Sequence, residues 1–374
     1  MVVCIGMSDV RVKPRFTDTQ AGAGDTYGVG DLSLTMSEGA EEKVRGLLAD
    51  LSGPQRAVGF RVPEALLSVV AGIGAAAWDR LFSGPRPHDL HVFRAVRGDK
   101  HVAPSTPGDL MFHIRARQMD VCFEVASLIM DRLRDFVVVV DETHGFKYFD
   151  ERDLLGFVDG TESPVGIAVA DAALVGEEDL VFSGSSYVIT QKYLHDLGTW
   201  TGLSVEEQAK DVGRTKLSNV ELPDEVKPSN SHVVLHTIVD EQEVEHDIVR
   251  DNMPFGSVGV GEFGTYFIGY ARTPAVTEFM LQRMFVGNPP ANYDRILDFS
   301  TAITGTLFFV PTADFLDDPP ERRGVSIDSS HSCADRGIRP PIVGGKDLAS
   351  PRRPVATPER SKEASNWWNY LSNL

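Results

Sequence analysis

The order of predicted elements points to an α+β fold. A ferredoxin-like unit, strand–helix–strand–strand–helix–strand, is used twice and gives two antiparallel β-sheets with peripheral helices. Three observations carry this reading. The chain of 374 residues is long enough for two domains or two halves of one fused fold. A composition of 42% hydrophobic and 24% charged residues is that of a globular protein and excludes a disordered, collagenous or disulfide-rich chain. Apolar strand runs and helical periodicities then alternate with a similar rhythm in the two halves, 28–164 and 165–318.

The elements follow in order. Residues 1–27 read as a loose arm. DLSLTMSE (Asp31 to Glu38) alternates as a half-buried strand does. Ser37 and Glu38 open a helix, AEEKVRGLLADL, with Leu47, Leu48 and Leu51 on its apolar face. ALLSVVAGIG is a buried strand and AAAWDRLF a short helix. LHVFRAVRG, DLMFHIRARQ and DFVVVVDETHGFKYF are strand candidates. Between the last two lies a helix, MDVCFEVASLIMDRL, with Phe123, Ala126, Leu128, Ile129 and Leu133 among its apolar positions. In the second half SSYVITQKYLH is a strand and SVEEQAKDVGR a helix. SHVVLHTIVD, EVEHDIVRD and GTYFIGYAR are strands, TPAVTEFMLQRMF and DRILDFSTAI helices, and TGTLFFVPTADFL closes the core. From Pro319 onward proline, arginine and serine dominate, which reads as a flexible linker. It ends in SNWWNYLSNL, an apolar tip that either packs on its own body or docks on another chain.

Charge narrows the function classes. A net charge of −18 opposes binding to nucleic acid, which needs a basic face, and to anionic membranes. The three cysteines, Cys4, Cys122 and Cys333, stand far apart without a CxxC, which fits a reducing, cytoplasmic compartment. The N-terminus lacks the basic and long apolar regions of a secretory signal. The most apolar stretch, Leu66 to Trp78, falls well short of the roughly 20 residues that span a bilayer.

Four constellations could carry chemistry. GFVDGTESP places Asp159 between apolar residues and glycines, either as a turn cap or as an isolated acid. In SHVVLHTIVD, His232 and His236 are four apart. The β-branched density predicts a strand, which would separate them by about 13 Å and exclude joint ligation of one small metal ion. In IVRDNMPFG, Arg250 and Asn252 alternate and share a face if the segment is a strand, a fixed cation beside an amide. VGRTK gathers Arg214 and Lys216 into a small basic site after a helix stop, suited to an anionic group or to plain ion pairing. The GxG of VGVGEFG lacks the strand-to-helix setting of a dinucleotide site. No Walker, GxSxG, HExxH or EF-hand pattern occurs.

Together these pieces resemble the dye-decolourising peroxidases, most of all their bacterial B-type branch. The blocks that carry the resemblance are LHVFRAVRG, STPGDLMFHIRAR, ETHGFKYFDERDLLGFVDGTESP, VGRTK, KPSNSHVVLH, IVRDNMPFG, NYDRILDFS and TGTLFFVPTADFL, in family order from about Leu66 to Leu316. The resemblance implies one haem b per chain, bound mainly by the C-terminal half. It makes His232 the axial ligand of the haem iron and Asp294 the carboxylate behind it. Arg214 meets a propionate, Phe308 joins the haem-binding set, and Asp159, Arg250 and Asn252 form the distal catalytic group. Ser163 stands where the signature usually has asparagine. The implied reaction reduces hydrogen peroxide through a ferryl porphyrin-radical species, which one-electron donors such as phenols or dyes reset. Tyr193, Trp200, Tyr266 and Tyr293 are candidate surface relays, and Glu162, Glu221 and Glu245 a candidate Mn²⁺ site. Further expectations are a homo-oligomer and a docking partner for the tail, in particular the shell of a protein nanocompartment. The competing reading is a haem-binding or haem-iron-handling protein with incidental peroxidase activity.

Overall fold

The computed structural model of the protein describes residues 28–161, 163–239 and 245–320. The proposed arm 1–27, the tail from residue 321 with its apolar tip, and Glu162 lie outside the described residues. In chain order the elements are β1 (Gly28–Met36), α1 (Glu41–Ala49), α2 (Ser52–Gly59), β2 (Ser68–Gly74), α3 (Ala75–Leu81), β3 (Val96–Arg97), β4 (Val102–Ala103), β5 (Leu110–Ala116), α4 (Met119–Leu133), β6 (Val137–Phe146), α5 (Ile167–Ala173), β7 (Ser186–His195), α6 (Leu197–Thr201), α7 (Val205–Val212), α8 (His232–His236), β8 (Val249–Arg250), β9 (Met253–Ser257), β10 (Glu262–Ala271), α9 (Pro274–Phe285), β11 (Ser300–Ala302), β12 (Thr306–Val310) and α10 (Ala313–Asp317).

The strand order gives the fold its logic. The first half runs β2-β5-β1-β6 and the second β12-β7-β10-β9, the same order of first to fourth strand in each. Both are antiparallel, as a twofold ferredoxin-like reading requires. The two sheets are not separate, however. β2 pairs with β12 through Phe308↔Gly74 and Phe309↔Ile73, and β6 touches β9 through Gly145↔Phe255. The eight strands therefore close into a ring, which removes all but short stretches of free edge.

Helices cover the outside of this ring. α4 lies over β1 and β5 with Val121, Cys122, Val125, Ile129 and Leu133 buried. Of the apolar positions read from sequence, Phe123 is exposed instead, because the buried stripe starts two residues earlier. α1 begins at Glu41 with no side-chain cap, so Ser37 and Glu38 do not open it. α7 has the capping box its sequence allows: Ser204 accepts from Glu207 N, and the Glu207 carboxylate reaches back to Ser204 N. Gly213 ends it at φ +97°, a left-handed cap that glycine adopts without strain.

Several predicted elements are corrected. LHVFRAVRG contributes only the two residues of β3. Among its described residues, EVEHDIVRD contributes β8 and one bridge at Glu245. DRILDFSTAI is a 3₁₀ turn, Arg295–Asp298, followed by β11. SHVVLHTIVD, read as a strand, holds the short helix α8. Among the described residues no helix is long and apolar enough to cross a membrane.

Candidate active site

The second ferredoxin-like half supplies most of the walls of a cavity of about 140 Å³, lined by Phe157, Val212, Ile248, Phe267, Met280 and Met284 among others. His232, the first residue of α8, projects into it. Behind His232 stands Asp294, fully buried at the N-cap of the 3₁₀ turn Arg295–Asp298, where its Oδ1 accepts from Ile296 N at 3.0 Å. Its Oδ2 lies 2.7 Å from His232 Nδ1. Burial pushes the Asp294 carboxyl up. The charge and hydrogen bonding of His232, then the nearness of His236, outweigh it and hold the group at about 2. Asp294 is thus an anion that orients the ring and leaves His232 Nε2 for a ligand.

Because α8 is a helix, His232 and His236 fall on one face. Their rings are 4.0 Å apart and inclined at 35°, and with Asp294 they form a group of potential metal ligands. The strand reading had excluded joint ligation, and the helix removes that objection.

Asp159, Arg250 and Asn252 meet in the same cavity. Gly160, at φ +71°, turns the chain so that its N–H donates to Asp159 Oδ1 at 2.7 Å. Asn252 Nδ2 donates to the same oxygen at 3.2 Å, while its Oδ1 faces Ile268 N at 3.4 Å. The β8–β10 pairing holds Arg250 opposite Gly269. Its Nε is buried and without a hydrogen-bond partner among the described residues, a donor open to a ligand group. Asn252 follows β8 rather than continuing it. Asp159, Arg250 and Asn252 also line a second cavity of about 110 Å³, with Arg115, Lys147 and Tyr148 at its walls. His232 does not line this one, so the acid, cation and amide have an approach of their own.

Arg214, just past the Gly213 cap, borders a smaller cavity of about 80 Å³ together with His232, Asp159 and Arg250. Its guanidinium is steadied by Asn219, with Nε 3.1 Å from Oδ1, and faces Glu221 at 3.7 Å. Lys216 does not join it. Lys216 Nζ donates to Gln208 Oε1 at 2.6 Å and lies over the rings of Phe157 and Trp200. Phe308 is not among the cavity's lining residues either. It is fully buried, and its ring packs over Gly108 while its Cβ crowds Gly72.

Tyr193, Trp200 and Tyr266 are buried, so of the four proposed surface relays only Tyr293 is partly exposed, with its hydroxyl 3.2 Å from Asp298. Glu221 is engaged by Lys227, and Glu245 borders the smaller cavity. Sequence reasoning missed Asp153 and His195. Asp153 Oδ1 accepts from Phe157 N at 3.0 Å. Burial, then repulsion from Asp159, raises its carboxyl to about 7. His195 sits between Ser300 and Thr265, and burial lowers it to about 4. Asp153, six residues before Asp159 in the quoted signature block, was legible; His195 carried no signal beyond strand alternation.

The donor set fits a haem. One imidazole is backed by an anionic carboxylate, the walls are apolar over most of their area, an arginine borders the smaller cavity that His232 also lines, and a buried arginine Nε has no partner among the described residues. Comparisons with known proteins agree. Two family models match, "Dyp-type peroxidase, N-terminal" over residues 32–147 and "Dyp-type peroxidase, C-terminal" over residues 150–315. The dye-decolorizing peroxidase of Rhodococcus erythropolis is 61% identical over 290 residues, which cover 78% of this chain and 85% of that protein. A DypB variant of Rhodococcus jostii in complex with heme has a TM-score of 0.76 at 57% identity, covering 78% of this chain and 94% of that one. The encapsulated DyP-type peroxidase of Mycobacterium smegmatis, determined by cryo-EM, has a TM-score of 0.78 at 57% identity, covering 81% and 97%.

Proposed function

Because the chain belongs to the Dyp-type peroxidase family, it is a haem-dependent peroxidase, and we propose the parts its residues take in that reaction. His232 would hold the haem iron through Nε2, with Asp294 fixing the ring and keeping it electron-rich through Nδ1. Arg214 would supply the cation for a propionate. When bound, haem b supplies the iron that takes up peroxide and the macrocycle that stores oxidising equivalents.

The remaining chemistry belongs to the protein. Asp159 takes the proton from one oxygen of hydrogen peroxide and returns it to the other, so that the leaving oxygen departs as water. Arg250, which stays protonated, stabilises the negative charge that develops on that oxygen. Asn252 holds the Asp159 carboxylate and orients peroxide. The observation that carries this reading is the convergence of Asp159, Arg250 and Asn252 on the cavity that also receives the carboxylate-backed His232. A protein that only carried haem would have no use for that acid and cation.

The test is a visible spectrum of the haem-supplied protein before and after one equivalent of hydrogen peroxide. A Soret band that changes with peroxide and reverts with a phenol or dye is expected. His232→Ala should lose the band. Asp159→Ala and Arg250→Leu should keep it while losing about 10²–10⁴-fold in peroxide turnover. A Soret band indifferent to peroxide would favour the carrier reading.

The finer assignments belong to the same proposal. The body divides near residue 164 into two halves. The reducing substrate is a small aromatic or dye-like donor, and Phe308 supports the fold rather than the cofactor. The working place is the cytoplasm. The chain assembles with copies of itself, in keeping with Val138, Val139 and Val140 exposed on β6; a monomer mass by light scattering would remove this. The tail docks the enzyme into a nanocompartment shell, supported by its apolar tip and by the encapsulated relative. A chain truncated after Pro319 should lose the shell, and one that still co-purifies with it would end this assignment.

A further inference from the structure

α8 brings a second imidazole to the carboxylate that backs His232. Asp294 has two oxygens: Oδ1 is taken by Ile296 N at 3.0 Å, and Oδ2 by His232 Nδ1 at 2.7 Å. His236 Nε2 lies 3.5 Å from that same Oδ2. This nitrogen is buried and has no hydrogen-bond partner among the described residues. A bare ring nitrogen facing a carboxylate would set lone pair against lone pair. The attractive tautomer therefore carries its proton on Nε2 and points it at Asp294. Helical spacing makes this possible: one turn separates the two histidines, so both rings reach one acceptor while lying 4.0 Å apart.

We propose that His236 is a positioning residue that shares the Asp294 carboxylate with His232 and so limits how much negative charge Asp294 passes to the axial imidazole. A carboxylate oxygen with two donors gives each a weaker hydrogen bond than it gives one alone. His232 is then less imidazolate-like than in a simple His–Asp pair, and the iron it holds is easier to reduce. The inference rests on the assignment of His232 as axial ligand.

The experiment uses the haem-loaded full chain in four forms: native, His236→Phe, His236→Gln and Asp294→Asn. Two readouts are followed, the ferric/ferrous midpoint potential by spectroelectrochemistry and the iron–histidine stretch of the ferrous form by resonance Raman. In His236→Phe, which keeps a planar ring but no donor, the midpoint should move negative and the stretch upward. His236→Gln, which keeps an N–H, should return both toward native. Asp294→Asn should shift both the opposite way from His236→Phe. Loss of haem from His236→Phe that His236→Gln restores also supports the proposal, since the donor and not the ring is then what matters. Native values in His236→Phe, or equal shifts or equal haem loss in the Phe and Gln variants, would overturn it by reducing His236 to packing. A native chain with no Soret band would instead defeat the haem assignment itself, so the two failures are told apart.

Discussion

Asp31 shows at the residue scale what the closed ring demands. It lies on β1 opposite His113 of β5 and Thr143 of β6 and is 1% exposed. Burial raises its carboxyl to about 7; Tyr266 draws it back, Asp141 pushes it further up, and Lys192 opposes. Below about pH 4 both the folded and unfolded states are protonated here. Between about 4 and 7 the folded state holds a proton that the unfolded state has released, so stability falls as pH rises through that window and stays low above it. Asp31→Asn removes this slope. We expect the variant to be more stable than the parent at pH 8, by up to about 4 kcal/mol, with the difference vanishing near pH 4. Urea unfolding at several pH values checks it, and parallel profiles for the two proteins would contradict it. The candidate active-site residues were more legible than this core acid. Asp159, His232, Arg250 and Asn252 stand in short blocks of recognisable order, whereas Asp31 looks in sequence like any polar position of an alternating strand.

At the scale of elements, propensity and packing part company. SHVVLHTIVD has the β-branched density of a strand, yet its first residues form α8, because Leu235 is buried completely and the segment packs against α7 and α9. Intrinsic preference is worth a few tenths of a kcal/mol per residue in so short a piece, and tertiary contact overrides it. LHVFRAVRG fails as a strand for the same reason, with Leu90 and Phe93 buried in irregular backbone. β2, by contrast, was readable as a continuous apolar run, and it is buried along nearly its whole length. Its last residue, Gly74, marks a joint of the ring. A Cβ there would stand 2.2 Å from Gly108 O, a backbone atom that cannot swing aside. Gly74→Ala should therefore destabilise the protein by about 1–3 kcal/mol, seen as a lower midpoint in calorimetry; an unchanged midpoint would mean that the Gly108 backbone leading into β5 can shift away from β2 without cost.

For the whole molecule, the amino-acid sequence by itself determined the α+β class, the twofold rhythm of strands and helices, and the candidate residues Asp159, His232, Arg250 and Asn252 that the fold brings to one cavity. These are local properties. Hydrophobic period, helix stops and short blocks of side chains are carried by neighbouring residues. Only the tertiary structure decided what depends on distant pairing. It joined the two sheets through β2 with β12 and β6 with β9. It turned Phe308 into the core and Lys216 away from Arg214. It also set His236 beside His232 on one carboxylate 58 residues beyond His236. Period and propensity specify which face of an element is apolar; which other element that face meets is fixed when the whole core closes, and no local pattern contains it.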